Sequence, residues 1–168
     1  MLKLAFGCWA GVGKTTACNY LNKKYNAVVV NFADGIYDLT KGLYSRMGIP
    51  FQKNRPLLIA IGNVAKKHDP NYWVNEVKKK YEFHQKIHNQ TLRSFMFCVG
   101  DVRYNNEFYF LRKEGFIMVK LERPGVEPQS DEHELDDKQW DVCIKTEDIQ
   151  TMYKELDKLV ENSFKILE

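Results

Sequence analysis

Residues suited to holding a phosphate group stand near the start of the chain, in the segment from Cys8 to Thr16 (CWAGVGKTT). The segment follows a short apolar run and precedes a helical pattern. Its glycines let the backbone wrap around a phosphate with the N–H groups pointing inward, and the N-terminus of the following helix adds positive potential. The spacing matches GxxxxGK[ST], except that Cys8 replaces the first glycine and Gly7 stands one place early. The pattern predicts a P-loop.

The predicted P-loop gives two side chains a specific task. We expect Lys14 to reach the β- and γ-phosphates of ATP, and the hydroxyl of Thr15 to bind Mg²⁺. The alternative is a chance glycine-rich turn, which the strand–loop–helix context disfavours. The residues predicted to bind ATP are Gly11, Val12, Gly13, Lys14, Thr15 and Thr16.

A carboxylate and an arginine follow the apolar run Ser94 to Val99, in the sequence Gly100-Asp101-Val102-Arg103. The carboxyl ends of parallel strands face the ligand crevice. Asp101 can therefore bind Mg²⁺ through water or accept a proton from the attacking phosphate, and Arg103 can clamp a phosphate. The alternative is an Asp–Arg surface pair that caps the next helix. Glu107, one turn later, can reach the same pocket or lie on a solvated helix face.

Four further residues are candidates for the substrate side of this site. Asp34 follows a predicted strand, where it can contact substrate or cap the helix predicted over 36–47. Arg55 begins another helix and is a candidate ligand of the substrate phosphate; the alternative is a surface arginine. Trp73 can stack on a base or pack in the core. Arg123 opens a polar segment, where a lid arginine would neutralise charge on the transferred phosphoryl group.

The elements that would position these residues alternate between strands and helices. This pattern predicts one α/β domain over residues 1–168, with helices on both faces of a parallel sheet, as in a three-layer sandwich. The helical residues at about 50–90 are predicted to form a substrate-binding insertion, and those at about 123–138 a mobile lid. The predicted strands are 2–6, 27–32, 94–99, 116–121 and 142–145, and the predicted helices are 14–25, 36–47, 55–68, 71–87, 105–113 and 149–164.

The bulk composition excludes several classes of protein. The 168 residues are 44% hydrophobic, and 25 basic against 22 acidic residues give a net charge of +3. So balanced a charge predicts no nucleic-acid or membrane partner. The four cysteines have no ligand spacing for zinc, and we expect them to be reduced. No segment approaches the ~20 apolar residues of a membrane helix, so the prediction is a soluble, cytoplasmic protein.

With these residues placed, the chain resembles the deoxynucleoside monophosphate kinases of tailed phages and their bacterial relatives. The most specific stretch runs from Asp101 to Glu107 (DVRYNNE). The resemblance covers nearly the whole chain. Its other parts are the P-loop at 8–16, Phe32-Ala33-Asp34, the helix of Arg55, the segment Asp69 to Asn75, and Arg123-Pro124, followed by Glu132 to Asp137 and Trp140-Asp141.

The resemblance implies an NMP-kinase-like P-loop fold and ATP-dependent phosphorylation of a deoxynucleoside monophosphate to the diphosphate. By position it assigns Lys14 and Thr16 to the ATP phosphates, Arg123 to the lid, and the substrate side to Arg55, Asp101, Arg103 and Glu107. The resemblance is also compatible with a homodimer and, for a viral protein, with a location in the host cytoplasm.

The chain departs from this family at three places. Relatives often have Gly at the Cys8 position, Asp at the Thr15 position and a His-x-Ser-Glu element where this chain has residues 129–132. These departures leave open the lid contacts, and whether Thr15 or Thr16 serves the metal.

Two other functions remain open at this stage. One is a P-loop kinase for another small acceptor, such as dephospho-coenzyme A or a free nucleoside. The other is a P-loop binding module or regulatory NTPase that acts through a protein or nucleic-acid partner, against which the balanced charge counts.

Overall fold

The computed structural model describes residues 1–91, 96–128, 135 and 137–165. Within these residues the strands and helices follow one another in the order that the sequence pattern predicts. The strands are β1 (Leu2–Gly7), β2 (Val28–Val30), β3 (Met96–Val102), β4 (Ile117–Glu122) and β5 (Val142–Lys145). The helices are α1 (Lys14–Tyr25), α2 (Asp34–Arg46), α3 (Arg55–His68), α4 (Tyr72–Thr91), α5 (Asn105–Lys113) and α6 (Ile149–Lys165).

The strands form one parallel sheet in the order β2-β3-β1-β4-β5. The central strand β1 lies between β3 and β4, so the segments that leave β1 and β3 begin side by side. The register of β1 and β3 shifts between Ala5 and Gly7, and Gly7 pairs with Val102. This arrangement places the predicted P-loop next to the turn that contains Arg103. The predicted parallel sheet is confirmed.

Alternating side chains of the strands divide the core into two layers. Leu4, Phe6 and Cys98 pack on one face of the sheet with residues of α1 and α6. Ala5 and Phe97 pack on the other face with residues of α4 and α5. Strands buried on both faces require apolar side chains at successive positions, which explains the continuous apolar runs. The predicted three-layer sandwich is confirmed.

The helices predicted between β2 and β3 are present, but they differ in their packing. Helix α4 is a core helix, because Val77 and Tyr81 are fully buried against the sheet. Helix α3 has two residues, Ile59 and Val64, that expose about half or more of their surface. A substrate-binding role for this part of the chain stays a prediction. The predicted lid lies partly outside the described residues, since 129–134 and 136 are not among them.

Two element boundaries differ from the sequence prediction near the site. Strand β3 continues to Val102 instead of ending at Val99, because Gly7 of β1 provides a pairing partner for Val102. Strand β2 is shorter than predicted and ends at Val30, since the backbone N–H groups of residues 31–33 donate to the carboxylates of Asp34 and Asp101. The extension of β3 places Asp101 inside a strand rather than in a loop, and the shorter β2 leaves residues 32 and 33 to bind its carboxylate.

None of the helices in the described ranges has the length and apolar character needed to span a membrane.

Candidate functional site

The loop between β1 and α1 has the backbone conformation of a phosphate-binding loop. Cys8, Gly11 and Gly13 have φ values of 87°, 82° and 104°, all in the left-handed region. Cys8 therefore has the backbone conformation that the motif normally assigns to glycine. The chain departs from the motif in the type of residue at this position, but its backbone conformation is kept. Gly7 belongs to β1, where an added Cβ would lie 2.3 Å from the ring of Trp140. Gly7 thus makes room for Trp140.

The left-handed backbone of Cys8 leads to a test of two substitutions. A non-glycine residue in this region costs about 1–3 kcal/mol, and a β-branched residue fits it worst. We expect Cys8→Gly to keep the midpoint of urea unfolding and the KM for ATP close to the wild-type values. We expect Cys8→Val to lower the free energy of unfolding by about 2 kcal/mol. A Val variant as stable as the Gly variant would contradict the assigned loop conformation.

Lys14 lies inside this loop and is almost fully buried, with 8% of its surface exposed. Its Nζ donates to the carbonyl oxygen of Cys8 at 2.7 Å and to that of Trp9. A buried ammonium needs such acceptors because desolvation of an unpaired charge is costly. The ammonium is therefore held at the loop, where a phosphate cradled by the loop N–H groups would meet it.

The start of α1 fits a phosphate and its metal ion. Gly13 is the N-cap residue, and because glycine has no side chain it cannot cap the helix, which suits a helix N-terminus that binds an anion. Thr15 on the first turn is exposed, whereas Thr16 is half-buried. Of the two threonines left open by the sequence, Thr15 is the more exposed, and its binding of Mg²⁺ stays a prediction.

Thr146 fixes the P-loop to the neighbouring strands, and the sequence reasoning missed it. Its Oγ1 lies 3.1 Å from the carbonyl oxygen of Val12 and 3.0 Å from that of Glu122. The side chain is buried and links the loop to the carboxyl ends of β4 and β5. Its position directly after a predicted strand could have identified Thr146, because the same strand-end rule identified Asp101.

Asp101 joins the end of β3 to the segment that follows β2. Its Oδ1 accepts from the N–H of Phe32 at 2.8 Å, and its Oδ2 accepts from the N–H of Ala33 at 2.9 Å. Burial raises the pKa of Asp101 to about 6, and the two backbone hydrogen bonds partly oppose that shift. Asp101 thus has a positioning role that the sequence did not predict. Its metal-binding or proton-accepting role stays a prediction.

Glu107 holds the turn that carries Arg103. Its Oε2 accepts from the N–H of Arg103 at 2.8 Å and from that of Tyr104 at 3.1 Å. The side chain is 4% exposed, so the solvated-face alternative is wrong. Burial raises the pKa of Glu107 to about 8, and the charge of Asp101 adds to this shift. A direct contact between Glu107 and substrate stays a prediction.

The raised pKa of Glu107 predicts a pH-dependent stability. A pKa of about 8 in the folded protein, against an ordinary value of 4.5, means that the folded state binds the proton more tightly. The free energy of unfolding should therefore fall as the pH rises from about 4.5 to about 8. In Glu107→Gln the amide oxygen can accept the same N–H groups without titrating. We expect the loss between pH 5 and pH 8 to be roughly 1–3 kcal/mol smaller in this variant.

Urea unfolding at several pH values measures this difference. Glu161→Gln removes an exposed glutamate from α6 and serves as the matched control. Equal pH profiles for wild type and Glu107→Gln would contradict the assigned burial of a titrating carboxyl at this position.

Arg103 is exposed directly after β3, between the half-buried Asp101 and the buried Glu107. Its charge reaches Asp101, because it lowers the pKa of that carboxyl against the larger effect of burial. Its backbone N–H is held by Glu107, so the side chain leaves from an anchored position. The structure therefore places Arg103 and the P-loop at the carboxyl ends of adjacent strands.

Asn106 brings two segments of the sequence pattern together beside this turn. Its Nδ2 donates to the carbonyl oxygen of Pro70 at 2.9 Å and to Oδ1 of Asn71 at 3.1 Å. The segment from Asp69 to Asn75 is itself tied by hydrogen bonds from Asn71 and Asn75 to the Asp69 carboxylate. The start of α5 is thereby fixed to the turn between α3 and α4.

Asp34 and Trp73 have other contacts than the sequence predicted. The carboxylate of Asp34 accepts from the N–H of Asn31 at 2.8 Å, and the N-cap residue of α2 is Ala33, so the capping prediction is wrong. Trp73 is 4% exposed, and its Nε1 donates to the carbonyl oxygen of Gly62 at 3.1 Å. Its ring is a core element with no free face for a base, which corrects the substrate-binding prediction. The core alternative describes it better.

Arg55 and Arg123 are both exposed, at the two places where the sequence predicts substrate and lid arginines. Arg55 begins α3 behind an N-cap in which Oδ1 of Asn54 accepts from the N–H of Leu57 at 3.1 Å. Arg123 follows β4, and its carbonyl oxygen accepts from the N–H of Val126 at 3.2 Å. Val126 lies beside the P-loop, 3.9 Å from an added Cβ on Gly11. The described residues at the start of the predicted lid thus lie beside the P-loop.

Comparison with known proteins gives two viral relatives and a structural likeness. No model of a known protein family matches the sequence. The chain is 31% identical over 126 residues to the uncharacterized protein ORF77 of Ictalurid herpesvirus 1 (strain Auburn), covering 73% of this chain and 51% of that protein. It is 25% identical over 142 residues to the uncharacterized protein ORF76 of the same virus, covering 80% and 56%. The chain therefore spans about half the length of the curated relatives it matches.

The likeness to solved structures concerns the fold. A sugar kinase from Janibacter sp. HTCC2649, in its unliganded crystal structure, superimposes with a TM-score of 0.57 at 9% identity, over 96% of this chain and 95% of that one. The strand order, the left-handed loop after β1 and the buried lysine at its end agree with this likeness. The chain has the P-loop kinase fold.

Proposed function

We propose that the protein transfers the γ-phosphoryl group of ATP to a nucleoside monophosphate, with deoxynucleoside monophosphates as the preferred acceptors. The observation that supports the proposal is that a glycine-rich loop with a buried lysine and an exposed arginine lie at the carboxyl ends of adjacent parallel strands. Lys14 and the loop after β1 suit the phosphates of ATP, and Arg103 after β3 suits the phosphate of the acceptor.

Positioning and charge neutralisation account for most of the catalysis in phosphoryl transfer. Lys14 stabilises the γ-phosphoryl group as it moves, and Arg123 adds a second positive charge from the lid side. Arg103 and Arg55 hold the acceptor phosphate in line, and Asp101 orients the acceptor. When bound, Mg²⁺ neutralises charge on the β- and γ-phosphates, with Thr15 and Asp101 as the residues that would hold it. Closure of the lid over the site excludes water and so limits hydrolysis of ATP.

The resemblance to phage deoxynucleoside monophosphate kinases supports the choice of acceptor. The DVRYNNE stretch contains the anchored Arg103, the anchoring Glu107, and Asn106, which ties α5 to the turn after α3. These contacts support a site in which the backbone of Arg103 is held in one position by Glu107. The viral origin of the two curated relatives is consistent with an enzyme of nucleotide supply.

The test is ADP release from ATP and Mg²⁺ with each dNMP and NMP, with dephospho-coenzyme A, free nucleosides and simple sugars as other acceptors, and with no acceptor. Direct chromatography of the nucleotides avoids coupling enzymes that accept several diphosphates. We expect release that depends on one or more deoxynucleoside monophosphates. Release that depends on a sugar or another alcohol would assign a different acceptor, and release equal to the control in every case would contradict the proposal.

A further inference from the structure

Lys66 on the last turn of α3 reaches the same turn that carries Arg103. Its Nζ lies 3.2 Å from the centroid of the Tyr104 ring, and Tyr104 directly follows Arg103 in sequence. An ammonium over an aromatic face is attracted by the ring and keeps its N–H groups available to other acceptors. The last turn of α3 and the first turn of α5 therefore meet beside the candidate acceptor site.

The charge of Lys66 acts on the anchor of this turn. Lys66 lowers the pKa of Glu107 against the larger effect of burial, so the two side chains lie within electrostatic reach. Among the residues that the structure describes, Lys66 is in no salt bridge, whereas Lys24, Lys79 and Lys120 pair with carboxylates at 2.7–2.8 Å. Its half-buried ammonium is thus held near the site by the ring of Tyr104 and not by a carboxylate.

Two neighbouring residues show that a general helix-end effect does not explain this placement. Lys66, Lys67 and His68 all lie in the last turn of α3, where positive charge interacts favourably with the helix dipole. Lys67 and His68 are exposed, and only Lys66 turns toward Tyr104. Lys67 has the same charge at the same helix end, which makes it a matched control.

We propose that Lys66 binds the phosphate of the acceptor together with Arg103; this inference rests on the proposed function. A nucleoside monophosphate carries a charge of about −1.5 to −2 at neutral pH, and a further cation beside the Arg103 turn strengthens its binding. Arg103 supplies a planar fork, and Lys66 supplies a compact point charge beside the neighbouring Tyr104. Two cations at this place select acceptors that already carry a phosphate over neutral sugars or nucleosides.

The test uses Lys66→Met, Lys66→Arg and Lys67→Met in the full chain. Binding of a deoxynucleoside monophosphate and of the corresponding nucleoside is measured by calorimetry, beside the KM values for acceptor and ATP. We expect Lys66→Met to weaken binding of the monophosphate roughly 10- to 100-fold and to leave nucleoside binding and the KM for ATP unchanged. Lys66→Arg should retain most of the affinity, and Lys67→Met should behave as wild type.

The outcomes separate this inference from the proposed function. If wild type binds a monophosphate and Lys66→Met binds it equally well, or loses affinity for nucleoside and monophosphate alike, Lys66 has only a structural role and the inference is overturned. If wild type binds no nucleoside monophosphate, the proposed function fails and this inference fails with it. Urea unfolding verifies that each variant is folded, and Lys66→Gln replaces the Met variant if that protein is unstable.

Discussion

Lys14→Ala is expected to lower the rate of phosphoryl transfer by roughly 10³-fold, the effect of removing a preorganised group that stabilises charge in the transition state. The Nζ of Lys14 is already in place, because the carbonyl oxygens of Cys8 and Trp9 hold it inside the loop. Alanine leaves the loop without a cation at the position where the γ-phosphoryl group would lie.

The loop itself should survive this substitution. Thr146 holds the carbonyl oxygen of Val12, and the left-handed residues Gly11 and Gly13 set the course of the backbone independently of the lysine. We therefore expect the urea midpoint of Lys14→Ala to stay close to that of wild type. Lys23→Ala removes an exposed lysine from the same helix and serves as the control. If Lys14→Ala had the turnover of wild type, Lys14 of the P-loop would have no role in the reaction, which would contradict the proposal.

Arg103→Ala is expected to lower kcat/KM for the acceptor by roughly 10²-fold or more and to change the KM for ATP by less than about twofold. A bidentate arginine–phosphate contact is one of the stronger charge-assisted interactions, which sets the size of the effect. The anchoring of the turn does not depend on this side chain, since Glu107 binds the backbone N–H of Arg103. The fold and the ATP site should therefore be retained.

Two further variants sharpen this result. Arg103→Lys keeps the positive charge but loses the planar fork, so it should recover only part of the activity. Arg46→Ala removes an exposed arginine at the far end of α2 and should behave as wild type. If wild type and Arg103→Ala had equal acceptor kinetics, residues other than Arg103 would bind the acceptor phosphate, and the role proposed for Arg103 would be wrong.

Local patterns in the sequence predicted most of the fold. The bounds of α3, α5 and β5 agree with the prediction, because apolar periodicity and strong boundary residues such as Asn54 and Pro70 coincide there. The extension of β3 to Val102 could not be predicted, since Gly100 and Asp101 are poor strand formers. That extension depends on pairing with Gly7, which lies more than ninety residues away in sequence.

The candidate site was predictable in position but not in its supporting contacts. The P-loop spacing identified Lys14, and the rule that ligands bind at the carboxyl ends of parallel strands identified Arg103. The contacts of Asp101 with the backbone after β2, and the approach of Lys66 to Tyr104, join segments far apart in sequence and have no local signal. The contact of Glu107 with the N–H of Arg103 spans only four residues and lies at the start of α5. For Trp73 the sequence suggested a contact that the structure does not favour. An aromatic ring can stack on a base, but the buried ring of Trp73 packs in the core.

The measurement that tests the central claim most directly follows the γ-phosphoryl group itself. ATP labelled at the γ-phosphate is incubated with the protein, Mg²⁺ and a deoxynucleoside monophosphate, and the labelled products are separated. The account predicts that the label appears in the deoxynucleoside diphosphate, at a rate that Lys14→Ala and Arg103→Ala both reduce. Label found only in inorganic phosphate, at a rate independent of the acceptor, would contradict it.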